Sequence, residues 1–500
     1  TLGGGTLSIT GATGATAQTF ASTALTTNTF SSVTASARAG GLTVNLAAIT
    51  RAASSGLNIS LTSSPTLSYS VGATGWASTN GLNVSATTGA AFMTLNGTDW
   101  ANGVTNPVAS TYTADTFTAS TNNINVTTSG AWAGTSLNAL RFNTAGAVTL
   151  TVTNANTLGA GGILVGSGAG AVNFGGTSST GTVSGTAFTT ANGELNIFNY
   201  SSSSATINAG LINNASSNSY LSAAPVGNTL NVFGTGTTIL NASRTATTFA
   251  NAYTGGTNIS GSATLQLGQN NAIPFGTSAP GGLSISGGAT LDLNGKNQII
   301  NGISGLGMVN NSTTSTVTFT IGSANGGGTF TGSIQNSGGG AVSLVKTGTG
   351  SITLNGQNTY AGATTISQGT LLLNFTNGPI NVRSDILPVT ALTLGSATLN
   401  VTGQVNTSSI NAQSFSGTTL SGGGSVTIAG TTPAVTVNLG AISRATNTFG
   451  TLNVTLVSPG VVNTTSVNNA AGILGGHVTV GAADWGTVNA SGNIVAAAAG

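Results

Sequence analysis

The chain has 500 residues, of which 39% are hydrophobic and 3% charged, with eight Lys plus Arg, six Asp plus Glu, one histidine and no cysteine. This excludes disulfide scaffolds and thiolate metal sites. It also excludes a nucleic-acid surface, which needs clustered cations and not a net charge of +2 spread over the whole length.

Read from the N-terminus, the chain is a succession of short strands. Thr1-Leu2-Gly3 is no signal peptide, and Leu7 and Ile9 alternate with polar residues at period two. The same alternation returns at Leu195/Ile197, Val317/Phe319/Ile321 and Val426/Ile428, with Gly, Asn and Ser clusters between. No stretch has helical periodicity, and no apolar run reaches the roughly 18 residues of a membrane-spanning helix. A mean hydropathy of +0.28 points to a large buried core. Because the chain opens and closes inside strand-like patterns, it reads as a trimmed part of something longer.

The chain also copies itself. TLGGGTLSITG at 1–11 aligns without a gap on TLGSATLNVTG at 393–403. Val44 to Arg51 (VNLAAITR) then matches Val437 to Arg444 (VNLGAISR), and Thr98-Asp99-Trp100 matches Ala483-Asp484-Trp485. Three anchors in one order define a module present twice, at 1–110 and 393–500, around a central segment at 111–392. The expected organisation is one continuous body over 1–500, part of a tandem array with a period near 390 residues. A shorter rhythm runs inside it: ISGSATLQL from Ile259 recurs as ISGGATLDL from Ile285, and Asn251-Ala252-Tyr253-Thr254-Gly255 as Asn358-Thr359-Tyr360-Ala361-Gly362.

Such periods mean stacked rungs. The expected fold is all-β, a right-handed parallel β-helix (β-solenoid) with rungs of about 20–26 residues, the hand following the crossover rule. One side-chain set fills a narrow interior. The other, rich in Thr and Asn, faces water, where stacked like charges would repel at about 4.8 Å while Asn and Thr rows can hydrogen-bond.

The glycine-rich stretch LVKTGTGSITLNGQNTYAGATTISQGTLLLN, residues 344–374, is no phosphate loop. Lys346 precedes Gly348 and Gly350 instead of standing after them, and a strand pattern occupies the place where a helix is needed. The stretch resembles the autotransporter-associated β-strand repeat, with Lys346, Gly348, Gly350, Asn358, Tyr360, Gly362, Gly369, Thr370 and Leu371 in that pattern's places. Residues 249–267 are a partial copy without the lysine, and 281–307 resembles the segment immediately downstream of such a repeat. The resemblance implies a bacterial exported surface protein with a parallel β-helical passenger segment.

Candidate chemistry is sparse. No two of the six acids, Asp99, Asp115, Glu194, Asp292, Asp385 and Asp484, lie within ten residues of each other. Carbohydrate-cleaving β-helices need carboxylates on adjacent rungs, and only Asp99 and Asp115 come near that spacing. His477 aligns with Phe92, so its slot takes a ring and demands no ligand. The glycine runs at 326–328 and 422–424 lack the aspartate of calcium nonapeptides. No catalytic residue, metal site or cofactor is expected.

Arg51 and Arg444, with Asp99-Trp100 and Asp484-Trp485, recur in both modules and read as turn-closing, rung-pairing and core-covering positions. The alternative is a sugar-stacking surface made of Trp100 and Trp485 with Trp76, Trp132, Tyr253 and Tyr360. The expected function is a structural, extracellular or cell-surface β-solenoid that builds a fibre, sheath or surface layer by self-association into a homopolymer. An adhesin that binds a glycan or surface ligand comes second, and a polysaccharide lyase or hydrolase is a remote third.

Overall fold

The computed structural model describes residues 1–71, 76–86, 89–103, 105–118, 121–133, 135–153, 155–175, 182–185, 193–212, 227–242, 251–277, 281–377, 383–404, 411–429, 434–457 and 460–497, with backbone alone at 71, 155, 182–185, 212, 377 and 383. It divides into two compact units, Thr1–Asp292 and Leu293–Gly500. That boundary coincides with neither edge of the repeated module.

The fold is an all-β solenoid of parallel ladders. In the first unit the module stacks Thr6–Thr10 on Phe30–Ser36, then Gly56–Thr62, then Met93–Leu95. A second wall sets Thr16–Thr19 and Ser22–Leu25 on Leu42–Arg51, which carries Thr66–Val71 on its other side. The central segment continues with its own long wall, in which Ser136–Phe142, Ala155–Val165, Glu194–Asn199, Thr229–Gly234, Thr257–Ile259 and Leu283–Ile285 succeed one another in parallel.

Period-two sequence becomes period-two burial. In Val148–Thr153 the apolar residues point inward and the threonines outward, since β-branched Thr suits a pleated wet face. The short repeat is a pair of adjacent rungs: Ile259 lies on Ile285 and Leu265 on Leu291. Elsewhere the step changes, shortening where Ile124 lies on Leu140 and lengthening where Leu195 lies on Leu230. Rows of amides run along the stack as expected. Asn208 donates to Asn173 at 3.2 Å, Asn241 to Asn208 at 2.7 Å and Gln269 to Asn241 at 3.0 Å.

In the second unit Val317–Ile321, Val342–Lys346, Thr364–Asn374, Ala391–Thr402, Gly423–Ala429, Thr451–Leu456 and Val478–Val480 stack in parallel. The long strand Thr364–Asn374 lies on Val342–Lys346 with its first residues and on Ser351–Leu354 with its last.

Common strand direction has exceptions that the alternation pattern does not reveal. Trp76–Thr79 and Leu82–Ser85 form an antiparallel hairpin. Each module also closes its stack by reversal: Met93–Leu95 turns antiparallel onto Asp99–Asn102, and Val478–Val480 onto Asp484–Val488, which pairs again with Ile494–Ala496. A short two-residue-period strand reads the same in either direction, so only tertiary packing decides.

Candidate functional surface and repeat centres

The glycine-rich stretch works as an internal clamp. Lys346 ends a strand and is fully buried. Its Nζ donates to the carbonyls of Thr347 at 2.7 Å, Gly348 at 2.9 Å and Gln368 at 3.3 Å, so all three ammonium protons are used. Burial pulls this amine down to about 8. A phosphate cradle points amides inward; this loop points carbonyls, the opposite polarity. Gly348 has a φ of 67°, and a Cβ there would lie 2.1 Å from the carbonyl oxygen of Gly322 one rung away. Gly350 and Gly362 likewise sit against the backbone of neighbouring rungs.

Asn358 stands outside the strands, its N–H donating to the Ile386 carbonyl, and its side-chain amide adds further bonds between rungs. Its Oδ1 accepts the Ile334 N–H at 2.8 Å, and its Nδ2 donates to the Ile386 carbonyl at 2.8 Å and to Gly356 at 3.0 Å. One side chain thus ties its own rung to those before and after it. Asn251 repeats the device, accepting from Leu211 N–H at 2.9 Å and donating to the Ala272 carbonyl at 2.8 Å. Tyr360 shares a 2.7 Å hydrogen bond with Thr364, as Tyr253 does with Thr257. Burial pushes both phenols above their usual range.

The two modules share their register and their hydrogen bonds. Asn58 Oδ1 accepts from Thr94 Oγ1 and Gly97 N–H, and Asn453 Oδ1 from Thr479 Oγ1 and Ala482 N–H. Thr23 Oγ1 donates to the Leu46 carbonyl and Thr418 Oγ1 to that of Leu439, both at 2.8 Å. Arg51 and Arg444 each donate to the carbonyl four residues on, of Ser55 and Thr448.

Their surroundings differ. In the first module Arg51 forms a buried ion pair with Glu194, which also accepts the Ser54 N–H at 2.8 Å, and its guanidinium lies 5.0 Å from the centre of the Phe92 ring. Trp100 is fully buried, donates from Nε1 to the Leu140 carbonyl and meets the Phe198 ring edge-on at 5.3 Å. Asp99 pairs with Arg141 at 3.1 Å. In the second module Arg444 and Asp484 are exposed, and Trp485 is 51% exposed.

The covering residues escape sequence reading because they lie on the outward parity of a strand. In Glu194–Asn199 all six residues are buried: Leu195 and Ile197 point to the interior, while Glu194, Asn196 and Phe198 meet the module. Phe198 packs with Phe233 and Phe30, Tyr200 shares a 2.6 Å hydrogen bond with Thr94, and Asn196 donates to the Ala91 carbonyl. The available signal was apolar residues at both parities in ELNIFNY, the mark of a strand buried on both faces.

The remaining candidates serve locally. Asp115 accepts from the Thr127 and Thr128 amides and hydroxyls; burial raises its carboxyl but these bonds hold it lower overall. Asp99 faces Arg141 instead, so the two acids closest to the rung spacing have separate partners. Asp292 accepts from Gln266 and Asp385 from the Ser414 N–H. His477 is half-buried, its Nδ1 3.0 Å from the Gly475 carbonyl oxygen. Among the described residues no three His, Asp or Glu gather as metal ligands would. Of the six aromatics considered for sugar stacking, Trp76, Trp100, Trp132, Tyr253 and Tyr360 are buried and Trp485 is open.

Residues 230–267 and 344–373 match the family model of the passenger-associated-transport-repeat. These stretches contain the two Asn-x-Tyr centres; the third segment of resemblance, 281–307, lies outside them. No curated protein and no solved structure matches the chain. Repeats of this kind mark surface-exposed β-helical passengers, typically structural or adhesive.

Proposed function

We propose that the chain is a structural β-solenoid exported to a bacterial cell surface, where it builds a fibre, sheath or surface layer by stacking rungs with further copies of itself. The observation that carries this reading is the stacking of self-similar rungs, in which Ile259 lies on Ile285 and Leu265 on Leu291 while outward Asn and Gln side chains bond along the row. Each rung is bound through its backbone to the next, so a stack grows by adding like units. Near absence of charge removes the repulsion that would oppose contact between copies.

Sedimentation and negative-stain microscopy of the 500-residue chain test this. Concentration-dependent polymers or sheets are expected. A monomer at high concentration would sink the reading. The exposure of Trp485 favours a second reading, adhesion to glycans, for which a glycan-array signal must disappear in Trp485→Ala and survive a control substitution at an exposed threonine.

A further inference from the structure

The exposed face of the second module repeats part of a face that is occupied in the first. The antiparallel pair Thr94 with Trp100 recurs as Thr479 with Trp485, and Gly56, opposite Phe30, as Thr451, opposite Gly423. The turn after the arginine is also kept, with Ser54 and Asn447 both left-handed at φ values of 53° and 59°. In the first module this face receives Glu194, Phe198 and Tyr200. In the second, Arg444 makes no ion pair among the described residues, Trp485 is half open, and Phe449, inserted between Thr448 and Thr451, is 92% exposed. Arg444 donates to the carbonyl of Thr448, the residue before Phe449, so an exposed guanidinium and an exposed ring share one turn, and Trp485 lies on the neighbouring strand pair; aromatic and arginine side chains left open in this way mark interaction sites.

We propose that this face, made of Arg444, Thr451, Thr479 and Trp485, is a docking surface for a β-solenoid strand with the chemistry of residues 194–200. Such a strand carries a carboxylate, an aromatic ring and a tyrosine on outward positions four and then two residues apart. The carboxylate meets Arg444, as Glu194 meets Arg51. The ring covers Trp485, as Phe198 covers Trp100, and the phenol reaches Thr479, as Tyr200 reaches Thr94. Continuity with the interface already formed in the first module selects this occupant, together with charge complementarity. The template is not kept throughout: Gly423 stands in place of Phe30, which packs on Phe198 and Tyr200 in the first module, Thr451 in place of Gly56 and His477 in place of Phe92, so the occupied face keeps the arginine and the indole and loses two rings beside them.

The test transplants the face. In the full chain, residues 1–100 are replaced by residues 393–485, so that second-module sequence meets the strands that cover the first. With Trp132→Phe and Trp485→Phe at its original place, the transplanted indole is the only tryptophan. Its emission is expected to move to the blue of that of Trp485 in its original place, with acrylamide quenching reduced several-fold, and Glu194→Gln is expected to restore part of the quenching. A folded chimera whose indole stays as quenchable as the original Trp485 overturns the proposal. A second chain, carrying residues 116–292 appended behind Gly500 and every other tryptophan changed to phenylalanine, reads Trp485 in its original place. It must show the same protection, and unchanged quenching with added strand content overturns the proposal.

Discussion

The two modules share register, turn geometry and side-chain hydrogen bonds, yet one buries its arginine and tryptophan while the other shows them to solvent. The difference lies outside the module, in the strands laid against the first copy. A repeated residue is therefore not a repeated environment. The local bonds of Arg51 and Arg444 are the same; the ion pair belongs to one of them.

Paired substitutions can break or sharpen this contrast. The largest effect is expected for Trp100→Ala, which empties a packed site and costs about 3–5 kcal/mol, whereas Trp485→Ala stays within about 0.5 kcal/mol; denaturant unfolding of each variant checks both. Arg51→Ala leaves the Glu194 carboxylate buried and unpaired, a loss of roughly 3–5 kcal/mol. Arg444→Ala, which removes only an exposed hydrogen bond, is expected to be near neutral. Equal losses in the two modules would show that burial does not separate them.

The repeat centres at 251–257 and 358–364 provide the opposite case, in which device and surroundings recur together. Asn358→Ala orphans the Ile334 N–H at about 1–3 kcal/mol, while the Ile386 carbonyl keeps the main-chain N–H of residue 358, and Asn251→Ala, which orphans the Leu211 N–H, is expected to cost at least as much. Hydrogen exchange at Ile334 and Leu211 reads the loss directly. Tyr360→Phe and Tyr253→Phe should each cost about 1 kcal/mol.

A further effect is a pH slope. Lys346 ionises at about 8 in the fold against 10.5 in the open chain. Above about 8 the unfolded chain holds a proton that the folded one has released, so the lysine's contribution to stability rises with pH, until the tyrosines, whose buried phenols are held above their usual range in the fold, ionise first in the unfolded chain near 10 and lower stability again. Lys346→Met removes the rising part alone, as thermal melts of variant and parent between about pH 7 and 9 would register.

Much of the centre was legible because its constraint is local. Gly348 needs a positive φ, and Lys346 ahead of its glycines cannot form an amide cradle; both are properties of a few consecutive residues, whereas Asn358 stood out only as a repeat position and its bonds to Ile334 and Ile386 were not legible. The aromatic cover was not legible. Glu194, Phe198 and Tyr200 act on residues 51 to 100, and no spacing rule connects segments so far apart in sequence. Trp100 and Trp485 also sit in the same Asp-Trp context, so sequence alone assigned them one role.

Stacked rungs were legible in the amino-acid sequence, since self-similar repeats with glycine-punctuated turns leave backbone groups nowhere to bond except the next rung. The sequence likewise determined the module's internal register, because a one-residue slip would turn every apolar side chain outward. Only the tertiary structure decided strand reversal at the end of each module and which outward face is covered. Both depend on where distant surfaces meet, and a threonine- and asparagine-rich outer face is compatible with water or with a neighbour until that neighbour is in place.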